Sequence, residues 1–233
     1  MFLVLSCVAG CKGLRMLVSS DFHGNLYAFQ KIAVKSKQLE VDLLVACGDI
    51  TNFGTAKQAM KLLSNFDKLN IPVVFVPGNC DLPSVLEVET ENCSNLHGKC
   101  IKIGNYTFVG VGGSPLSPLH TPLEFSEDEI SNMLELAVSK CSENKKLILI
   151  SHTPPFNTKV DLAFNGEHIG SRSIRNFVEK YKPIAVFCGH VHEARGIDKI
   201  GNTIVANPGP ARHGMYALAE VNDEVKVKLE SLE

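Results

Sequence analysis

Short apolar runs of strand length alternate with helical patterns along the first 110 residues, and no other feature restricts the fold of this chain as strongly. The apolar runs cover residues 14–20, 41–49 and 71–79. Between them, residues 26–38 and 56–69 carry apolar side chains at helical spacing. The order β-α-β-α-β predicts a largely parallel sheet with helices on its faces.

The remainder of the chain repeats this rhythm after a different middle section. A Gly-Asn turn predicts a hairpin over 100–113, and the Pro-rich segment 114–126 predicts a long surface loop. Ser126 and Glu129 form a capping box for a helix that runs to about Lys140.

Residues 145–155 and 183–192 are predicted strands with a helix at 171–181 between them, and short runs that look antiparallel close the chain. Because the second half repeats the alternation of strands and helices in the first, we predict a sandwich of two mixed sheets. We treat residues 14–233 as one domain, preceded by an N-terminal extension at 1–13.

The bulk composition argues against some classes of function. The net charge is −2, so a broad basic surface for nucleic acid is not indicated. Eight cysteines without a C-x-x-C pair predict reduced, mostly buried thiols in a cytoplasmic protein. The start "MFLVLSCVAGC" resembles a lipoprotein cleavage box, but no Lys or Arg precedes its short apolar stretch. We therefore favour a cytoplasmic protein extended upstream of Met16 over a membrane anchor, and no segment is long enough to span a bilayer.

Polar side chains collect where the predicted strands end. They are Asp21, His23, Asp49, Asn79, Asp81, His152, His190 and His192. In an open α/β sheet, ligands bind outside the carboxyl ends of the strands, so these groups are expected at one edge. Each motif is weak alone, and Asp81 could equally cap a helix that begins at Pro83.

The donor types narrow the chemistry of such a site. Imidazole and carboxylate ligands without thiolate suit Mn, Fe, Co, Ni or Zn. Apart from Asp81, these side chains offer seven ligands, which are too many for one ion but suit two ions roughly 3.5–4 Å apart that share a bridging carboxylate. A hydroxide between two such ions would be the nucleophile for in-line attack on phosphorus.

In this order, Asp-x-His, Gly-Asp, Gly-Asn-x-Asp, a later His and Gly-His-x-His resemble the calcineurin-like metallophosphoesterases. The resemblance covers nearly the whole chain from about Leu14, and the segments "GVGGSPLSPLHTPLEFSEDEI" and "GNTIVANPGPA" are similar to the Icc-related prokaryotic branch. It implies an α/β fold with a four-layer α/β/β/α sandwich, in which helices flank two mixed sheets. It also implies two divalent metal ions, with Mn²⁺ the first expectation.

Motif position implies a role for each site residue. The first metal would be held by Asp21, His23 and His192, and the second by Asn79, His152 and His190, with Asp49 bridging both. The catalytic set implied by the resemblance is Asp49, Asn79, Cys80, Asp81 and His152.

Cys80 stands where many members of the family carry a histidine that assists the leaving group. A neutral thiol is a poor acid, and general acid catalysis contributes about 10²–10⁴-fold. The chain is therefore expected to hydrolyse small, nucleotide-type phosphodiesters and to be weak on phosphomonoesters.

Three further residues are candidates for substrate contacts, namely Arg172, Arg195 and His120 in the Pro-rich loop. For Arg172 and its neighbour Arg175, a solvated helix face is the competing interpretation. Two alternatives to a small-molecule phosphodiesterase stay open, a nuclease and a protein-interaction scaffold of the same fold. No membrane partner is expected, nucleic acid is disfavoured, and a homodimer is compatible with the sequence.

Overall fold

The computed structural model describes residues 13–141 and 146–232, and the N-terminal segment with the lipoprotein-like box lies outside the described residues. The first half alternates strands and helices as predicted. Its elements are β1 (Leu14–Ser19), α1 (Leu26–Gln38), β2 (Leu43–Cys47), α2 (Ala56–Leu63), β3 (Val73–Val76), β4 (Cys93–Asn95), β5 (Lys99–Ile103), β6 (Tyr106–Val111), β7 (Ser114–Pro115) and β8 (Glu124–Phe125).

The second half begins with a helix and ends in two antiparallel pairs. Its elements are α3 (Glu127–Ser139), β9 (Leu147–Ser151), α4 (Arg172–Tyr181), β10 (Ala185–Phe187), β11 (Gly196–Ile200), β12 (Thr203–Asn207), β13 (Met215–Val221) and β14 (Val225–Ser231). The capping box of α3 is present, with the Ser126 side chain accepting from the Glu129 backbone.

Two mixed six-stranded sheets form the centre of the protein. The first has the order β14-β13-β1-β2-β3-β4, and the second has the order β11-β12-β10-β9-β6-β5. Strands β1 to β4 run parallel, as do β6, β9, β10 and β12. Antiparallel strands complete one edge of the first sheet and both edges of the second, and this confirms the predicted pair of mixed sheets.

Three buried clusters separate four layers. Helices α1 and α2 pack on the outer face of the first sheet, with Phe29 and Leu63 against Leu44. The two sheets pack face to face through side chains such as Val45 and Ile150. Helices α3 and α4 cover the outer face of the second sheet. The predicted α/β/β/α sandwich is confirmed.

Two predicted elements differ from the structure. The helix expected over 56–69 ends at Leu63, because the Asn65 side chain donates to the carbonyls of Lys61 and Leu62 and competes with further helical bonds. The Pro-rich loop contains the short parallel pair β7–β8. Among the closing strands, β12 pairs antiparallel with β11 as predicted, and its other neighbour, β10, is parallel to it.

The expectation of uniformly reduced thiols is wrong for one pair of cysteines. Cys100 of β5 and Cys141, just beyond α3, form a disulfide with Cα atoms 6.4 Å apart. They are separated by 41 positions in sequence, and only the packing of α3 beside β5 brings them together. Cys47, Cys93 and Cys188 are buried free thiols, as predicted. Within the described part of the chain, no helix has both the length and the apolar character to cross a membrane.

Candidate metal centre

Five strands deliver their following loops to one edge of the sandwich. The loops after β1, β2 and β3 come from the first sheet, and those after β9 and β10 come from the second. The side chains they bring together are Asp21, His23, Asp49, Asn79, His152, His190 and His192. All seven predicted ligands therefore lie in one connected group.

One half of this group consists of Asp21, His23 and His192. The Nε2 atoms of the two histidines lie 3.2 Å apart, and Nε2 of His192 lies 3.4 Å from Oδ1 of Asp21. One ligand atom from each residue lies within 4.8 Å of the other two. A single cation could therefore contact all three side chains.

The other half consists of Asn79, His152 and His190. Oδ1 of Asn79 lies 2.9 Å from Nε2 of His152 and 2.9 Å from Nδ1 of His190. The amide nitrogen of Asn79 donates to Oγ1 of Thr121, at 3.1 Å, which orients the amide oxygen toward the two rings. Thr121 was not predicted, because its contact depends on how the Pro-rich loop folds back.

Asp49 lies between the two halves and presents a different oxygen to each. Oδ2 lies 3.4 Å from Nε2 of His23, and Oδ1 lies 3.5 Å from Nε2 of His152. The backbone N–H of Cys80 donates to Oδ1 at 2.9 Å and fixes the carboxylate. This geometry suits a carboxylate that bridges two cations.

A buried carbonyl sets the orientation of His152. Its Nδ1 lies 2.8 Å from the carbonyl oxygen of Cys47, at the end of β2, and His152 is fully buried. Nδ1 must therefore carry the ring proton, which leaves Nε2 with a free lone pair toward Asn79 and Asp49. Support of this kind is common for histidines that bind metals.

Four of the seven residues have left-handed backbone conformations. The φ angles are 56° for Asp21, 45° for His23, 48° for Asp49 and 68° for His190. Such conformations cost non-glycine residues about 1 kcal/mol or more and concentrate at functional sites. Gly78 makes the tight approach feasible, because a Cβ at this position would collide with the Asp49 carboxylate and backbone.

Burial and charge shift the pKa values of these groups. Burial lowers the pKa of His23 to about 4 and of His190 to about 3, so both rings are neutral near pH 7. Burial raises the pKa of Asp49 to about 6, and the carboxylates of Asp21 and Asp81 act in the same direction. Although burial opposes it, hydrogen bonding to His192 holds the pKa of Asp21 well below its usual value.

This donor set fits divalent transition metals. It offers imidazole nitrogens, carboxylate oxygens and one amide oxygen around a shared aspartate, which are ligands that Mn, Fe, Co, Ni and Zn accept, and the Cys80 thiol lies within ligand distance of His23 and Asp49. Buried carboxylates are also expensive to leave without positive charge. The arrangement is therefore a candidate site for divalent cations.

Cys80 lies beside the centre as a free thiol. The side chain is partly buried, and Sγ lies 3.8 Å from the amide nitrogen of Asn79. Burial and then the Asp49 carboxylate raise the pKa of the thiol well above its usual value. Near neutral pH the group is therefore a neutral, weak donor.

Asp81 is neither a helix cap nor a group that faces a ligand. It is fully buried, and its carboxylate accepts from the backbone N–H groups of Ile50, Thr51 and Gly78 and from the Thr51 hydroxyl, at 2.7–3.0 Å. The turn at Pro83 is preceded by Leu82 as its cap residue, without a side-chain bond. Asp81 thus ties the Asp49 loop to the Asn79 loop.

The three predicted substrate contacts have other partners or lie exposed in this structure. Nε and Nη2 of Arg195 donate to the carbonyls of Pro208 and Glu230, at 3.0 and 2.9 Å. The guanidinium of Arg172 lies over the Phe156 ring, 4.0 Å from its centroid. His120 is exposed in the Pro-rich loop, next to Thr121.

Arg212 is a neighbour of the centre that the sequence motifs did not reveal. Its Nη2 lies 3.2 Å from Nδ1 of His192. The sequence offered one clue. Arg212 lies in the segment that follows the apolar run 203–207, just as the other site residues lie in segments that follow predicted strands.

Comparisons with known proteins agree with this geometry. The pattern of the family described as calcineurin-like phosphoesterase matches residues 14–194. The uncharacterized protein MJ1162 of Methanocaldococcus jannaschii is 39% identical over 209 residues, which cover 88% of this chain and 92% of that protein. A probable cyclic nucleotide phosphodiesterase of Vesicomyosocius okutanii is 25% identical over 184 residues, which cover 78% of this chain and 76% of that protein.

A solved structure supports the fold independently. The crystal structure of TT1561 of Thermus thermophilus superimposes with a TM-score of 0.75 at 18% identity, and it covers 95% of this chain and 100% of that one. At this identity the likeness concerns the fold alone.

Proposed function

The chain belongs to the calcineurin-like phosphoesterase family, and from that premise we propose that it is a two-metal phosphodiesterase that hydrolyses small phosphodiesters. The observation that carries the proposal is Asp49, whose two oxygens face His23 in one half of the centre and His152 in the other. A carboxylate shared in this way is what a two-ion centre requires.

In this proposal each half of the centre holds one ion. Asp21, His23 and His192 hold the first, and Asn79, His152 and His190 hold the second, with Asp49 shared. When bound, the two ions supply Lewis-acid activation of the phosphoryl group and of a water molecule. We propose Mn²⁺ as the working metal, with Fe, Co, Ni and Zn as alternatives, because the proposed ligands are nitrogen and oxygen donors that all of these ions accept.

The residues of the chain position these groups and limit the chemistry. The Cys47 carbonyl and Thr121 orient the ligands His152 and Asn79. Asp81 holds the two loops that carry Asp49 and Asn79 in register, so its role is positional. Cys80 cannot deliver a proton effectively to a poor leaving group, because burial and the Asp49 carboxylate raise the pKa of its thiol and make it a very weak acid. We therefore propose a preference for diesters and activated esters over alkyl monoesters.

Exposed aromatic side chains support an organic, nucleotide-type substrate. Phe53 is 54% exposed, and its backbone N–H donates to the Cys80 carbonyl at 2.8 Å. Phe164 is 92% exposed, and its backbone N–H donates to Glu193, the residue after His192. Both aromatic residues are thus tied to segments of the centre, where stacking on a base contributes about 1–3 kcal/mol.

The test is a substrate and metal panel on the purified protein. Metal-free protein is loaded with Mn²⁺, Zn²⁺ or Fe²⁺ and assayed with bis-p-nitrophenyl phosphate, p-nitrophenyl phosphate and cyclic nucleotides, while mass spectrometry counts bound metal. We expect two ions per chain and diester hydrolysis that a chelator abolishes.

Two histidine substitutions, one in the centre and one on the surface, provide the test and its matched control for this panel. His152→Asn should remove activity and bound metal, whereas the exposed His213→Asn should change neither. If the loaded wild-type protein bound no metal and cleaved no ester, the enzyme proposal would be wrong and the scaffold alternative would replace it.

A further inference from the structure

Arg212 is fastened to the half of the centre formed by Asp21, His23 and His192. Its backbone N–H lies 3.4 Å from the Asp21 carbonyl, and its own carbonyl lies 3.4 Å from Nδ2 of Asn25. The preceding residue, Ala211, donates to the Ser20 carbonyl at 2.7 Å. These contacts hold the start of the Arg212 side chain at a fixed place beside the loop of β1.

The guanidinium of Arg212 has unused donors. Nε is buried and has no hydrogen-bond partner among the described residues. No ion pair joins Arg212 to a carboxylate in the part of the chain that the structure describes. A buried N–H without a partner costs about 1–3 kcal/mol, so its presence calls for an explanation.

Among the residues that the structure describes, the hydrogen-bond partner of the guanidinium is a proposed metal ligand. Nη2 lies 3.2 Å from Nδ1 of His192, whereas Nε2 of the same ring faces Asp21 and His23. When Nε2 holds a cation, the ring proton stays on Nδ1, and that atom no longer accepts from Arg212. Nη2 then joins Nε as a donor in need of an acceptor.

The donors Nε and Nη2 are suited to one class of acceptor. An arginine fork binds two oxygens of a phosphate more specifically than a lysine does, and it keeps its charge at all relevant pH values. Arg195, in contrast, uses its guanidinium on two backbone carbonyls and has a structural task.

We propose that Arg212 is a substrate-contacting residue whose guanidinium, once released from Nδ1 of His192, donates to the non-bridging oxygens of the phosphodiester at the metal centre. This inference rests on the proposed phosphodiesterase function. Arg212 would hold the phosphoryl group in place and stabilise the charge that gathers on its oxygens during attack.

The test compares Arg212→Met, which has similar length and no charge, with Arg212→Lys, which keeps the charge without the fork. We expect Arg212→Met to lower kcat/KM for bis-p-nitrophenyl phosphate by about 10²-fold, the size found when one oxyanion donor is removed. Arg212→Lys should recover part of this loss. Arg15→Met is the control, because Arg15 lies at the start of β1 and pairs with Glu220.

Two measurements do not depend on turnover. Calorimetry with inorganic phosphate on the Mn²⁺-loaded proteins should show affinity at least about tenfold weaker in Arg212→Met, with unchanged metal content. The thermal midpoint of the metal-free variant should be equal or higher, since an unpartnered buried N–H has been removed.

The outcomes separate this inference from the function on which it rests. Phosphate affinity and kcat/KM within twofold of wild type would overturn the role of Arg212 even if the enzyme proposal holds. Loss of bound metal in Arg212→Met would also overturn it, because the residue would then only support His192. If wild type cleaves no ester, the enzyme proposal fails, and the phosphate titration still decides whether Arg212 binds the anion.

Discussion

Oδ1 of Asp49 lies 3.5 Å from Nε2 of His152, whose Nδ1 is held by the carbonyl that ends β2. Strand β2 thus positions both partners, since Asp49 itself follows β2 by two residues. One element of the first sheet therefore determines where a histidine of the second sheet points. The two sheets are joined at this point by a hydrogen bond as well as by apolar packing.

Asp49→Asn should cut diester hydrolysis by about 10²–10³-fold while the chain stays folded, because a neutral amide cannot bridge two cations as a carboxylate does. Steady-state kinetics and the thermal midpoint measure the two effects, and the exposed Asp128→Asn is the matched control. Near-normal turnover with two bound ions would remove Asp49 from its bridging role.

Cys80→His should raise turnover of p-nitrophenyl phosphate and of alkyl monoesters by at least about tenfold, since an imidazole replaces a neutral thiol beside the leaving group. Diester turnover should change less. Cys80→Ser serves as the control, because it keeps the size and adds no proton donor of suitable pKa. No gain in monoester turnover for the histidine variant would contradict this explanation.

Asp81→Asn should destabilise the protein by about 2–3 kcal/mol, because a buried charged acceptor of four hydrogen bonds is lost and its amide adds an unwanted donor. Urea unfolding of the metal-free protein measures this change. Thr51→Val, which removes only the hydroxyl donor, should cost about 1 kcal/mol. Equal stability of wild type and Asp81→Asn would show that the loops do not depend on Asp81.

His97 should make the fold sensitive to acid. The ring is mostly buried, its Nδ1 accepts from the Gly112 N–H at 3.0 Å, and burial lowers its pKa from 6.5 to about 4. In the unfolded chain His97 therefore binds a proton below pH 6.5, whereas in the folded chain it binds one only below about pH 4. Stability from this group is complete above pH 6.5 and is lost as pH falls to about 4, by about 2 kcal/mol at pH 4.5.

His97→Asn keeps an acceptor for Gly112 and cannot titrate. Urea unfolding at pH 7 and at pH 4.5 should therefore show a smaller acid loss for this variant than for wild type, by about 2 kcal/mol. Parallel pH profiles for the two proteins would exclude His97 as the source.

Much of the fold could be predicted from the sequence because its elements are local and strongly patterned. Helix α1 occupies the predicted residues 26–38, because its apolar residues have helical spacing and Asn25 caps its first turn. Helix α2 ends early because Asn65 hydrogen-bonds backwards, a choice that apolar spacing does not reveal. The disulfide depends on tertiary proximity alone.

The centre was predictable for a similar reason. Parallel strands place their carboxyl ends together, so polar residues after β1, β2, β3, β9 and β10 were expected to meet. The hydrogen bonds of Arg195 could not be predicted, because its partner carbonyl at Glu230 belongs to the last strand, far away in sequence. Arg212 was missed because a lone arginine after a Pro-Gly-Pro turn matches no metal motif.

The left-handed residues of the centre have an evolutionary consequence. Asp21, His23, Asp49 and His190 occupy conformations in which glycine would rest without strain. A lineage released from selection for hydrolysis would gain robustness by discarding these side chains, as is common when activity and stability compete. Loss of the catalytic side chains would then increase the stability of the fold. We therefore expect relatives that keep this fold without the activity.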